Sequence, residues 1–220
     1  MEIEVKEEKK SYVLERLLWN IVWAILIFPF PRRMALKWEI PLLNLFGAKI
    51  HKTAHIYSST KIWLPRNLQM DEYSILGDHV QVFNVDKVHL KAYACVSQFA
   101  NIYPSSRDMN NDDTFVTSQP IVIGEKAWVA SYSYLGMGSN IGREAVIGAG
   151  TVVRSAIPPY SMVIGNPAKV TGFRYTLDEI IEREKTVYKD EEQIPEDLLK
   201  KNYDKYFLNR LKEIKEFTKL

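Results

Sequence analysis

Four histidines (His51, His55, His79 and His89) and one cysteine, Cys95, are the side chains of this 220-residue chain that titrate nearest neutrality. Acid–base, nucleophilic or metal chemistry would start with them. A zinc site needs three or more converging ligands, and only His79 and His89 fall near a prospective cleft, so no metal is expected. Cys95 lies between Ala94 and Val96, which suits a small buried filler better than a nucleophile. A lone cysteine excludes an intramolecular disulfide framework and fits a reducing, cytoplasmic compartment. The net charge of +2 comes with no basic run interleaved with aromatics, so nucleic acid is not an expected partner. The remaining concentration of polar chemistry is YPSSRDMNNDDTFVTSQP, an Asn/Asp-rich stretch bounded by Pro104 and Pro120. It reads as a loop excursion over 103–120, and long loops in compact domains are commonly functional.

Those residues need a frame, and a sixfold spacing supplies one. A branched aliphatic recurs at Ile123, Val129, Leu135, Ile141, Ile147 and Val153. The residue after each of the first five is small (Gly124, Ala130, Gly136, Gly142, Gly148), as is the residue four places on (Ala127, Ser133, Ser139, Ala145, Thr151). A period of six fits neither a helix nor a simple strand. It fits a flat-sided solenoid in which each hexapeptide forms one side of a triangular coil, with aliphatics inward and small residues letting the chain turn. The same spacing appears in broken frames at Ile50, Ile56, Ile62, Leu68, then Leu76, Val82, Val88, then Leu90, Val96, Ile102. Each change of frame predicts a bulge or corner insertion.

Helices flank this block. The sequence predicts one from Ser11 to Phe28, stopped by Pro29 and Pro31, and a second from Met34 to Phe46, ending at Gly47. The apolar run Leu17 to Phe30 is shorter than the ~20 residues a membrane span needs, and it lacks the flanks of a signal peptide. Two readings of it stand: a helix packed on the body, or peripheral membrane association through residues 17–33, with Trp19, Trp23, Arg32 and Arg33 at headgroup level. Thr176-Leu-Asp-Glu179 forms a capping box, and the apolar residues from Leu198 to Ile214 mark further helix. The chain therefore divides into an N-terminal helical segment (1–48), a solenoid (49–172) and a C-terminal helical extension (173–220).

The block IVIGEKAWVASYSYLGMGSNIGREAVIGAGTVV, the following PP and GNPAKV, and the polar loop before them resemble the hexapeptide-repeat acyltransferases. LLWNIVWAILIFPFPRR, GAKI, IYSSTKIWLPRNLQM and NVDKV extend the resemblance to the colanic-acid and other polysaccharide O-acetyltransferases, over residues 12–172. The resemblance implies a mainly β fold, a left-handed parallel β-helix, assembled as a homotrimer with active sites between subunits. It also implies transfer of acetyl from acetyl-coenzyme A to a saccharide acceptor, a histidine taking the acceptor proton. Carried over by position, Ser131 and Ala149 match places that contact the pantetheine arm, and Arg154 and Lys169 match basic positions for cofactor phosphates. Either cation is equally a solvated surface charge. Asn84 matches an acceptor contact, or is a corner residue bonding the turn.

The resemblance breaks in the loop. Where the family commonly has Gly-Ser-His-Asp, this chain has Ser105-Ser106-Arg107-Asp108. Arginine stays protonated and cannot be a general base. Three accounts follow. His89, eighteen residues before Arg107, serves as a displaced base from the rung below, if no insertion intervenes. Asp108 acts as a poor base while Arg107 holds an anionic acceptor or polarises the carbonyl. Or the chain has lost catalysis and is a trimeric binding or scaffold protein. Excursions of unequal length would also shift Arg107 from the expected place.

Overall fold

The computed structural model describes residues 8–30, 38–107 and 116–208. The sixfold spacing becomes three parallel sheets wound around one core. The first face stacks Lys49–Ile50, Leu68–Met70, Val88–Leu90, Ile121–Ile123, Asn140–Ile141 and Ala156–Ile157. The second runs from His55–Ile56 through Cys95–Val96 and Trp128–Val129 to Ser161–Ile164. The third holds Lys61–Ile62, Gln81–Val82, Asn101–Ile102, Tyr134–Leu135 and Val152–Val153. Every aliphatic of the repeat is buried in one core, from Ile50 to Val163. Burying each such side chain contributes about 1.5–3 kcal/mol, which is what closes the coil.

The coils differ in length, and the difference sits at one corner. First-to-second steps always span six residues (Ile50 to Ile56, Leu90 to Val96, Ile157 to Val163), as do second-to-third steps (Ile56 to Ile62, Val96 to Ile102, Ile147 to Val153). Third-to-first steps span eight (Ile62 to Met70, Val82 to Leu90), then twenty-one across the excursion (Ile102 to Ile123), then six (Leu135 to Ile141), then four (Val153 to Ile157). The predicted frame changes are therefore corner insertions, all at the same edge. The wider early coils use the extra residues to bury a further aliphatic, Leu68 or Val88.

Small residues serve these corners by permitting close approach. A Cβ on Gly142 would lie 2.4 Å from Pro159 N, and one on Gly124 would lie 2.6 Å from Ile141 O. Apart from glycines, the left-handed backbone positions are Tyr73, Tyr93, Lys126, Glu144 and Tyr160 at one constant corner and His79, Phe99 and Tyr132 at the other, where Gly150 takes the last turn. Such residues cost energy in that conformation. Ring stacking offsets part of it: Tyr73 lies on Tyr93 at 5.0 Å, and His79, Phe99 and Tyr132 form a ladder at 5.2 and 5.0 Å.

Helix α1 (Glu8–Val22) starts three residues before the predicted Ser11 and continues as a π-helical turn, Trp23–Ile27. It lies along the third face: Trp19 and Ile27 are buried, and Trp19 Nε1 donates to Ile62 O at 2.8 Å. Helix α2 (Glu39–Leu45) is shorter than predicted, and residues 34–37 of the prediction lie outside the described residues. At the other end, Lys169–Phe173 returns antiparallel on Ser161–Ile164. Helix α3 (Leu177–Val187) begins at the predicted Thr176–Glu179 capping box, and α4 (Glu196–Tyr203) follows. Two buried carboxylates fasten this cap. Glu184 accepts from Arg143 Nη1 (3.2 Å), Ile194 N (2.8 Å) and the Tyr160 hydroxyl. Glu144 accepts from Arg183 Nη2 (2.9 Å) and Tyr188 Oη (3.2 Å). Burial, then the Glu184 carboxylate, pushes the Tyr160 phenol far above its ordinary value; burial and nearby Glu125 do the same to Tyr188.

Candidate active site

The constant corner between the second and third faces brings Ser131 and Ala149 onto consecutive rungs. Gly150 N donates to Ser131 O at 3.0 Å, and nothing lies within 4 Å of where a Gly150 Cβ would be. The aromatic ladder ends here, so Tyr132 presents a well-exposed ring beside open space. Trp128, also exposed, donates Nε1 to Ser97 Oγ on the adjacent rung at 2.9 Å. Sequence reasoning passed over both aromatics, although each flanks Ser131 by only a few residues. Lys169 closes the corner from above: it pairs with Ile164, whose side chain packs where a Gly148 Cβ would be. Arg154 stands apart, at the far edge of the third face, its stem over Gly136 and its guanidinium 6.0 Å from the Tyr134 ring. Both cations are exposed.

The variable corner carries the excursion, an antiparallel hairpin of Ser105–Arg107 against Val116–Ser118. Gln119 N closes its base on Pro104 O at 2.9 Å. Arg107 is exposed on the first strand, opposite Val116. Asp108 lies outside the described residues. His89 is not one rung below Arg107, which corrects the displaced-base account. The early coil is two residues longer and the hairpin intervenes, so His89 pairs with Gln69 below and Val122 above, on the first face. Its Nε2 lies 2.8 Å from Asp71 Oδ2. Asn84 is buried and bonds backbone instead of facing an acceptor: Oδ1 accepts from Trp63 N and Leu64 N, and Nδ2 donates to Leu64 O. It holds the widened corner together, the turn-bonding alternative. Cys95 sits half-buried beside Trp128, and burial pushes its thiol above the ordinary value, away from nucleophile chemistry.

Between the two corners, the third face carries a column of rings. Trp63 and Phe83 lie 4.3 Å apart, Phe83 and Tyr103 5.4 Å, Tyr103 and Tyr134 5.6 Å. Helix α1 overhangs the lower half, enclosing a groove of about 570 Å³ that Lys61 and Gln81 also line. The column runs on to Tyr134, and Tyr103 lies immediately before the hairpin root at Pro104. Among the described residues, no group of three or more His, Cys, Asp or Glu side chains is placed to hold a metal.

No family model matches the chain. The WcaF protein of Escherichia coli K12, described as a colanic acid biosynthesis acetyltransferase, is 35% identical over 153 residues, covering 70% of this chain and 84% of that protein. The galactoside O-acetyltransferase of the same organism is 27% identical over 151 residues, 68% of this chain and 64% of that one. Among solved structures, a galactoside acetyltransferase in complex with coenzyme A superposes with a TM-score of 0.69 at 17% identity, over 88% of this chain and 92% of its own. That likeness shows the same solenoid fold.

Proposed function

Because the chain belongs to the hexapeptide-repeat, left-handed β-helix acetyltransferases, we propose that it moves acetyl from acetyl-coenzyme A to a hydroxyl of a sugar or cell-surface polysaccharide precursor. We place that reaction in a cleft between subunits of a homotrimer. The observation that carries this reading is the Ser131–Ala149 corner. Small side chains there, with no Cβ at Gly150, leave backbone open to an extended thiol arm. Lys169 above the corner and Arg154 across the third face offer cations for the phosphates. These residues fit the group.

For the acceptor, the column Trp63, Phe83, Tyr103 supplies ring faces, and Lys61 and Gln81 supply hydrogen-bonding groups beside them. Such a mixture suits a pyranose, which has apolar faces and a polar rim. In the transfer the acceptor oxygen bonds to the acetyl carbon, the carbon–sulfur bond breaks, and the hydroxyl proton ends on the departing thiol. Arg107 cannot take that proton. Its part is to hold an anionic acceptor or polarise the thioester carbonyl, leaving Asp108 as the base.

A second reading rests on His89. With the displaced base removed to another face and held by Asp71, the chain has no histidine at the described part of the hairpin. It would then bind acetyl-coenzyme A as a trimeric scaffold without turnover. Titration with acetyl-coenzyme A, sedimentation mass and thiol release with sugar acceptors separate the two, for wild type and Arg107→His. A trimer that binds and releases thiol supports transfer. Binding without release, gained on Arg107→His, supports the scaffold. No binding at millimolar ligand, or a monomer, overturns both.

A further inference from the structure

Helix α1 is held to the third face by its inner side, yet its outer side is just as apolar. Val13, Leu14, Leu17, Leu18, Ile21 and Ile25 form one stripe at helical spacing, and each is 48–61% exposed. Leu26 and Phe28 extend it around the π-helical turn. Scattered exposed leucines are ordinary in proteins, but a continuous stripe of eight large apolar residues is not. The end of the stripe is aromatic: Trp23 lies 4.8 Å from Phe28, Phe30 lies 5.4 Å from Trp38, and Trp38 Nε1 donates to Leu26 O.

We propose that this face of α1 and its π-helical turn lies flat on an anionic lipid bilayer. Charge selects that occupant over a second copy of the chain. Glu15 and Arg16 of α1 are engaged on its packed side, by Arg66 and over the Trp63 ring, and from Leu17 to Trp38 the charges in the sequence are Arg32, Arg33 and Lys37 alone. The stripe is followed in the sequence by this wholly basic run, which an anionic surface attracts and a second copy of the same run repels. No helix among the described residues is long and apolar enough to cross a membrane, which leaves burial to the headgroup boundary, where tryptophans also collect. The ring-lined groove opens under the same helix, so docking would bring its mouth to the lipid surface. The inference is independent of acetyl transfer and would survive the failure of that reading.

The test is co-sedimentation of the full chain with vesicles of equal phosphatidylglycerol and phosphatidylcholine, and with phosphatidylcholine alone. Wild type should pellet with the anionic vesicles, several-fold less with neutral ones, and less at high salt. The triple substitution Leu17→Glu/Ile21→Glu/Ile25→Glu should cut bound protein at least tenfold with particle mass and unfolding temperature unchanged. Should that variant not fold, Arg32→Gln/Arg33→Gln should lower anionic binding several-fold and leave the weak neutral binding as it was. Wild type remaining in the supernatant with both vesicles overturns the proposal. So does a triple variant whose particle mass falls, because the stripe would then be a subunit interface.

Discussion

Two corners of the coil keep the same length on every turn, and the third never settles. The constant corners carry one left-handed residue on most turns, stacked rings and tightly apposed glycines. The variable corner steps by eight, twenty-one, six and four residues and gives rise to the hairpin with Arg107. Ser131 and Ala149 sit on a constant corner, whereas Arg107 and the widened turn bonded by Asn84 sit on the variable one. On the proposed reading, the donor of the acyl group would be met by the part of the fold that repetition fixes. The acceptor and the proton transfer would then fall to the part that repetition does not control.

The largest effect should come from adding one carbon to a constant corner. Gly142→Ala places a Cβ 2.4 Å from Pro159 N, backbone against backbone, and should cost at least about 3 kcal/mol in denaturant unfolding. Replacing residues 108–115 by a short flexible linker should change stability by no more than about 1 kcal/mol, since loop length weighs only logarithmically. Equal costs would end the distinction between the corners. Next in size, the cap grips the first constant corner through Glu144 and Tyr160. Glu184→Ala strands the Tyr160 hydroxyl and leaves Arg143 with Glu192 O and the Tyr188 ring, and should loosen the cap by about 3 kcal/mol. Limited proteolysis should then cut after Phe173 while the solenoid stays intact. Smallest, Tyr160 and Tyr188 keep their protons more tightly folded than unfolded. Their stabilisation is whole below the ordinary tyrosine value of about 10 and is lost as pH rises above it. The unfolding temperature should fall from pH ~10 upward, and fall less in Tyr160→Phe/Tyr188→Phe.

The core was legible because hydrophobic burial repeats every six residues, so Ile123 through Val153 announce themselves and the frame changes after Leu68 and Val88 signal insertions, although the long steps begin one side chain earlier, at Ile62 and Val82. The small residues were legible too, but their reason was not. Gly124 and Gly142 are small because the next coil's backbone passes close by, and the left-handed turns fall on Lys126 and Glu144, whose types give no hint of it. His89 and Arg107 show the deeper limit. Eighteen residues is one coil only where the variable corner is short, and no local pattern reports that length across an aperiodic loop. The Glu184–Arg143 pair spans forty-one residues, and both sides of α1 are apolar enough that the sequence does not say which one packs.

A stack of parallel coils ends in unpaired strand edges, which invite another copy to continue the stack into a filament. Here the chain forecloses that growth with its own next segment. Lys169–Phe173 takes the free edge of Ser161–Ile164 in the antiparallel sense, a direction no incoming parallel coil can match. Gly165 O and Ala168 N meanwhile take up Val152 N and O on the adjoining face. The strand that bears Lys169 is also the stopper that keeps the particle finite.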